Sequence, residues 1–233
     1  MTAKTIDRPA RGKAKPSKHG EDQAGRVPKI LLVGSAKGGT GKTTTALNLA
    51  AVAASTGLSV ALVDCDAQRS LSKVWADRDT TSLQFAHYEA EVTQADDIKA
   101  TRGHNVLIID MPPGVDHDPA DIRRIIRVAN LVVIPTQQDP LDLRETVPFM
   151  RLVQEEGIPA AFLLNRARKK AKSLDRAREA LNEIGPLIPV EVPHYEDISN
   201  AIGVGMSVIE MKSGFGVSNY RSVWTYVRRV LEI

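Results

Sequence analysis

The stretch Gly34-Ser35-Ala36-Lys37-Gly38-Gly39-Thr40-Gly41-Lys42-Thr43-Thr44 concentrates glycines, two lysines and a run of threonines in one loop. Gly38, Gly39 and Gly41 let successive backbone N–H groups turn inward around a phosphate. Lys42 is placed to reach β- and γ-phosphate oxygens, and the Thr43 hydroxyl to ligate Mg²⁺. An apolar run, Ile30–Val33, leads into the loop and a helical pattern beginning near Thr44 leaves it. The helix N-terminus adds its positive dipole end to the same site. Strand, glycine loop, Lys-Thr and helix therefore come in the order that binding a nucleoside triphosphate requires. One feature departs from the common pattern. Its first glycine is Ala36 here, and the next residue is a second lysine, Lys37, which a single chain does not need to cradle a phosphate.

Two more apolar runs end in carboxylates. Val60–Val63 leads into Asp64-Cys65-Asp66-Ala67-Gln68, and Val106–Ile109 into Asp110-Met111-Pro112-Pro113-Gly114. In phosphoryl transfer, one acid at the tip of a buried strand can hold the metal through water while another orients the attacking water. Alternation turns Cys65 away from its acidic neighbours, so it reads as a packing residue.

These positions must be carried by elements. The apolar runs Ile30–Val33, Val60–Val63, Val106–Ile109, Leu131–Ile134, Ala160–Leu164 and Leu187–Val192 are rich in Val, Ile and Leu and mostly lack polar alternation, as strands buried on both faces do. A shorter run around Leu83–Ala86 suggests an edge strand. Helical patterns lie between them at Thr44–Ser55, Leu71–Ala76, Ala120–Val128, Leu143–Glu156, Leu174–Ile184 and Asn219–Leu231. The alternation predicts a doubly wound α/β domain with a mainly parallel sheet and helices on both faces, whose ligands bind at the carboxyl ends of the strands.

Composition sets the outer limits. The chain has 233 residues, 42% of them apolar and 25% charged, with one cysteine. One domain, with at most an appendage, fits that length. A lone cysteine excludes an internal disulfide or a cysteine-rich metal site within one chain, and a reducing, cytoplasmic setting is the default. No apolar run is long enough to span a bilayer. The net charge of +3 is uneven: residues 1–28 contribute +4 and the rest −1. With Pro9, Pro16, Pro28, three glycines and almost no large apolar side chain, residues 1–28 read as a disordered basic tail, and residues 29–233 as the folded domain.

The loop resembles the deviant glycine loop, Lys-Gly-Gly-x-Gly-Lys-Thr, of the ParA/MinD family of P-loop ATPases, and most resembles its small members that lack an N-terminal helix-turn-helix domain. The acidic stretches look like that family's Asp-x-Asp-Pro-Gln, with Ala67 in place of Pro, and Asp-x-Pro-Pro. Pro135-Thr136-Gln137-Gln138-Asp139-Pro140-Leu141-Asp142 is similar to a family stretch near the nucleotide and the dimer interface. Phe162–Arg166 resembles the strand whose Asn reads adenine, and Val192-Pro193-His194 the loop whose backbone closes over the base. The resemblance implies an ATP- and Mg²⁺-dependent ATPase. It implies that Lys37 reaches across a dimer to the partner's nucleotide, that Lys37, Lys42 and Asp66 carry the hydrolysis, and that Thr43, Asp66 and Asp110 sit at the metal with Asp64 behind them. The nucleotide would be held by residues 37–44, Asn165 and Pro193. His194 and Tyr195 read as exposed loop residues.

Family members use such a switch to place cargo: an ATP-bound homodimer coats the nucleoid through nonspecific DNA contacts, and a cargo-bound adaptor protein stimulates hydrolysis. Two basic groups are candidates for phosphate-backbone contacts. One comprises Arg166, Arg168, Lys169, Lys170 and Lys172, the other Lys212, Arg221, Arg228 and Arg229. His194-Tyr195-Glu196-Asp197 is acidic where some ParA proteins carry arginines, so DNA contacts are expected elsewhere. Two other classes compete: a MinD-type membrane-associated ATPase using an amphipathic final helix (Tyr220, Val223, Trp224, Val227, Val230, Leu231), and a metabolic P-loop enzyme on the same fold. A core-packing final helix is the expected alternative to the first.

Overall fold

The computed structural model describes residues 25–79, 82–113, 118–168, 171–211 and 214–233. The basic tail to residue 24 and the candidate DNA-contacting residues Lys169, Lys170 and Lys212 lie outside the described residues. The apolar runs become strands β1 (Lys29–Val33), β2 (Val60–Asp64), β3 (Ala86–Glu89), β4 (Val106–Asp110), β5 (Leu131–Thr136), β6 (Ala160–Ala167) and β7 (Val192–Pro193). Among the described residues they form one parallel sheet in the order β3-β2-β4-β1-β5-β6-β7.

Helices α1 (Lys42–Ser55), α2 (Ser70–Ala76), α3 (Ala95–Ala100), α4 (Pro119–Arg127), α5 (Pro140–Glu155), α6 (Lys172–Asn182), α7 (Glu196–Gly203) and α8 (Val217–Leu231) cover both faces. Strand side chains alternate between two cores. Ile30, Leu32, Val63, Leu107, Ile109 and Ile134 pack with α3, α4, α5 and α6. Leu31, Val33, Leu62, Ile108 and Val133 pack with α1, α2, α7 and α8. Every residue of β2, β4 and β5 is buried, which is why their sequences lack polar alternation.

Local chemistry shifts several boundaries. α5 begins three residues before its apolar periodicity, because Asp139 accepts a hydrogen bond from the Leu141 N–H and Pro140 fills the first helical position. Asp118 and Pro119 do the same for α4. The edge strand is Ala86–Glu89, three residues beyond the expected Leu83–Ala86. The expected strand Leu187–Val192 reduces to a bridge from Leu187 to Phe162 and the two-residue β7. α3 and α7 were not anticipated. α7 accounts for the acidic run after Tyr195: Glu196 and Asp197 occupy its first turn, where the helix dipole favours negative charge. Arg26 and Pro28 already lie against the body, with the Arg26 carbonyl accepting from the Gly103 N–H.

α8 lays Tyr220, Val223, Trp224, Val227 and Leu231 into the core. These five residues are covered by α1 and the sheet, as expected of a core-packing final helix, whereas Val230, expected on the same face, is exposed. No helix among the described residues is long and apolar enough to cross a membrane.

Candidate nucleotide site

β1 sits at the point where the chain reverses its direction of winding: β2, β3 and β4 lie to one side of it and β5, β6 and β7 to the other. A crevice opens at the carboxyl end of such a strand. The glycine loop leaves β1 there and enters α1. The sheet register sets Val33 against Asp110 and Asp110 against Asp64, so both acidic strand ends arrive beside the loop.

Backbone freedom is needed at two loop positions. Gly39 has φ +76° and Gly41 has φ +92°, both in the left-handed region. Gly41 is doubly constrained, because a Cβ there would collide with the Asn165 amide nitrogen. That amide donates to the Thr40 carbonyl at 3.0 Å. Gly38 has neither constraint. Ser35, which sequence reasoning passed over, braces the loop from inside. Its Oγ accepts from the Lys37 N–H and the Thr40 hydroxyl, each at 3.2 Å. Thr40 is therefore turned inward and can offer a nucleotide only its backbone.

Lys42 is buried and donates its ammonium to the Lys37 carbonyl at 2.8 Å. Burial pushes its pKa down, opposed by the charges of Asp110 and Asp66. Beneath it lies Asp110, also buried, with neither carboxylate oxygen in a hydrogen bond. Burial pushes the Asp110 pKa up to about 8. The Thr43 hydroxyl, close by but outside hydrogen-bond geometry, and the Lys42 ammonium pull it the other way, while Asp64 and Asp66 add to the rise. An orphaned buried carboxylate beside a hydroxyl and an ammonium is a site that gains when further positive charge or a ligated water arrives.

Asp64 is fully buried, and its carboxylate accepts three hydrogen bonds: from the Asp66 N–H at 3.0 Å, the Ser72 N–H at 2.9 Å and the Ser72 hydroxyl at 2.7 Å. It orients the turn that carries Asp66. Asp66 is half-buried, and its Oδ1 accepts from the Gln68 N–H at 2.8 Å. Cys65 is buried, and its thiol pKa is pushed far up, first by that burial and then by Asp64 and Asp110. It is a packing residue, as its place in the strand pattern indicated.

Asn165 and Pro193 meet across a narrow cleft. Gly41, Thr44, Arg166, His194, Tyr195, Ile198 and Ser199 complete its walls. His194 is exposed, whereas Tyr195 is half-buried against the ring of Phe215, 5.6 Å away. Arg166, at φ +50°, is shared with a second cleft of about 330 Å³ lined also by Gln137, Gln138, Asp139, Arg168 and Ser173. Gln137 reaches from that cleft to the Gly39 carbonyl at 3.3 Å. Gln137 belongs to the Pro135–Asp142 stretch expected near the nucleotide, whereas no sequence signal marked Ser199.

The matched family is the CobQ/CobB/MinD/ParA nucleotide binding domain, over residues 31–208, a span that contains the glycine loop, both acidic turns and the Asn165–Pro193 cleft. The chain belongs to this family. It is 33% identical over 211 residues to the maintenance of carboxysome distribution protein A of Gloeobacter kilaueensis, covering 88% of this chain and 93% of the relative. It is also 33% identical over 131 residues to protein ParA of Rhizobium radiobacter, covering 54% of this chain and 57% of that protein. The fold superimposes on the McdA–ATP complex of Cyanothece with a TM-score of 0.72 at 17% identity, covering 90% and 98% of the two chains. This member thus has the sheet and glycine loop of the ParA/MinD-type P-loop proteins.

The structure separates the two basic groups. Arg168 stands at the carboxyl end of β6, beside the clefts. Arg221 is exposed on α8, and Arg228 and Arg229 are exposed in its last turn. α8 starts near the clefts, where Asn219 donates to the Glu191 carbonyl, and runs about 22 Å away from them. Arg168 and the Arg228–Arg229 pair therefore do not form one patch.

Proposed function

We propose that this protein is an ATP-dependent dimerising switch that hydrolyses ATP and positions or segregates a large cargo. The observation that carries the reading is the buried Lys42, its ammonium resting on the Lys37 carbonyl, near an Asp110 carboxylate that has no hydrogen-bond partner, in a glycine loop that presents a further lysine, Lys37. Lys42 would leave the Lys37 carbonyl for β- and γ-phosphate oxygens, and the loop amides would hold the phosphates. Asn165 would meet the edge of the base, with Pro193 over its face. Thr43, Asp66 and Asp110 fit Mg²⁺, which would neutralise developing charge on the phosphates when bound. Asp66, fixed by Asp64, would orient the attacking water. Lys37 would act on the nucleotide of a second copy, as an arginine finger does in trans, where the effect is roughly 10³–10⁵ in rate.

ATP held between two copies favours the dimer by mass action, and hydrolysis releases it. The ATP-bound dimer would bind nonspecific DNA through Arg168 with its basic neighbours or through Arg221, Arg228 and Arg229, and so associate with the nucleoid in the cytoplasm. A cargo-bound adaptor would stimulate turnover. The carboxysome-distribution relative makes a large protein body one candidate cargo; a plasmid or a chromosome region is another. The covered apolar face of α8 speaks against membrane recruitment.

The decisive experiment combines light scattering, ATP binding and DNA retention on the purified full chain with ATP and Mg²⁺. Wild type should dimerise with ATP and retain DNA, and Lys42→Ala should do neither. ATP affinity unchanged in Lys42→Ala would remove the loop assignment. Vesicle binding that DNA does not compete would replace DNA by a membrane surface. Turnover that needs a small acceptor and ignores DNA would make it a metabolic enzyme.

A further inference from the structure

A histidine on the edge strand is joined to the Asp66 turn through two side chains, Ser72 and Asp64. His87 lies in β3 beside Leu62 of β2 and is buried. Its ring stacks on Trp75 of α2, with centroids 5.1 Å apart and planes 16° from parallel. Its Nε2 is 3.4 Å from the Ser72 hydroxyl, one helical turn earlier on α2. That hydroxyl has a single proton, donated to Asp64 Oδ2 at 2.7 Å, so toward His87 it can only accept. His87 therefore carries its proton on Nε2. The other Asp64 oxygen takes the Asp66 N–H. The direction of donation runs unbroken from His87 through Ser72 to Asp64, and the Asp66 amide closes on the far oxygen.

We infer that Ser72 and His87 are positioning residues for Asp66, holding the Asp64 carboxylate in the one orientation that fixes the Asp66 turn against the glycine loop. Two further contacts support this. Arg69, at φ +51°, donates to the Asp64 and Ala90 carbonyls and so ties the turn to the end of β3. The far end of α2 continues into Arg78, whose guanidinium lies 5.0 Å from the Trp75 ring and is bound in bidentate fashion by Glu210. α2 is thus pinned at both ends, and a carboxylate held by several donors loses orientation when one is removed. The charged groups facing His87 are Asp64, Glu89 and Arg69; burial, with the charge of Arg69, pushes its pKa down, while Asp64 and Glu89 oppose the shift.

The inference rests on the ATPase reading and deepens it. The test compares Ser72→Ala, Ser72→Thr, His87→Leu and His87→Gln in the full chain with ATP and Mg²⁺. Ser72→Ala and His87→Leu should lower single-turnover hydrolysis about tenfold or more while nucleotide affinity stays within about twofold. Ser72→Thr keeps the hydroxyl and His87→Gln keeps a donor near Nε2, and both should retain most of the rate. ¹⁵N NMR of wild type should report the neutral Nε2–H tautomer at His87, lost in Ser72→Ala. Wild-type turnover in Ser72→Ala, an Nδ1–H tautomer in wild type, or equal losses of rate and affinity in both serine variants would overturn the inference alone. Hydrolysis as fast in Lys42→Ala as in wild type would bring down the ATPase reading and the inference with it.

Discussion

The Lys37 ammonium is ion-paired with the Asp142 carboxylate of its own chain, with Glu145 behind it at 3.7 Å. Lys37 is the loop lysine proposed to serve a second copy, and Asp142 belongs to the first turn of α5, beside the exposed Leu141. The hydrogen bond that the Lys37 ammonium donates to Asp142 is the main cause that raises the Lys37 pKa, with smaller contributions from the charges of Asp142, Glu145 and Asp139. The lysine is thus fully charged and held within its own protomer, and reaching another subunit means exchanging Asp142 for phosphate oxygens.

Asp142→Asn should therefore lower the protein concentration at which ATP drives dimerisation, with little change in melting temperature because the Lys37 end of the pair is solvent-exposed and the amide can still accept from it. Concentration series by light scattering would read this directly. A midpoint equal to that of wild type would show that the ion pair does not compete with the dimer. Lys37→Ala should bind ATP and fail to hydrolyse it.

Gly41→Ala places a methyl group against the Asn165 amide at a residue with φ +92°. Left-handed strain and overpacking together should cost about 2–4 kcal/mol and weaken ATP binding. Gly38→Ala meets no neighbour and should keep near-wild-type stability. Urea unfolding of the two variants side by side separates a specific clash from a general intolerance of side chains in the loop.

Asp66→Ala leaves Asp64, Ser72 and α2 in place, since only the Gln68 N–H depends on its carboxylate. The variant should bind ATP and accumulate as a long-lived dimer. A monomer by light scattering in the presence of ATP would remove Asp66 from the role of orienting water.

Glu210 accepts from both terminal nitrogens of Arg78, from the Leu83 N–H and from the N–H and hydroxyl of Ser207, and both members of the ion pair are 5% exposed. Burial by itself would raise the Glu210 pKa, but the donors from Arg78 and Ser207 outweigh it and hold the carboxyl below its ordinary value of 4.5. A carboxylate lowered in this way adds stability above the unfolded-state value and loses it as pH falls through the folded-state value. Glu210→Gln should therefore be less stable by about 3–5 kcal/mol at neutral pH, because Arg78 stays buried without its counter-charge. The gap to wild type should close as pH drops below 4.5. Denaturant midpoints between pH 7 and pH 3.5 would show the convergence, and a gap independent of pH would exclude the ion pair as its source.

The primary structure alone determined the glycine loop, the acidic strand ends and the layered α/β plan, because each depends on residues adjacent in the chain: glycines before Lys-Thr, carboxylates closing Val- and Ile-rich runs, Asn165 after Phe162-Leu163-Leu164. Tertiary structure decided what depends on distant contacts. Only the sheet order brings Asp110 under Lys42 and leaves it unpartnered. Only the packing of β3 on α2 links His87 to Ser72 and Asp64, across 23 positions of chain between His87 and Asp64. The ion pair of Lys37 with Asp142 and the separation of Arg168 from Arg228 likewise follow from where α5 and α8 dock. A charge or a hydroxyl reads the same in any sequence, and what it does is set by the partner and the burial that folding supplies.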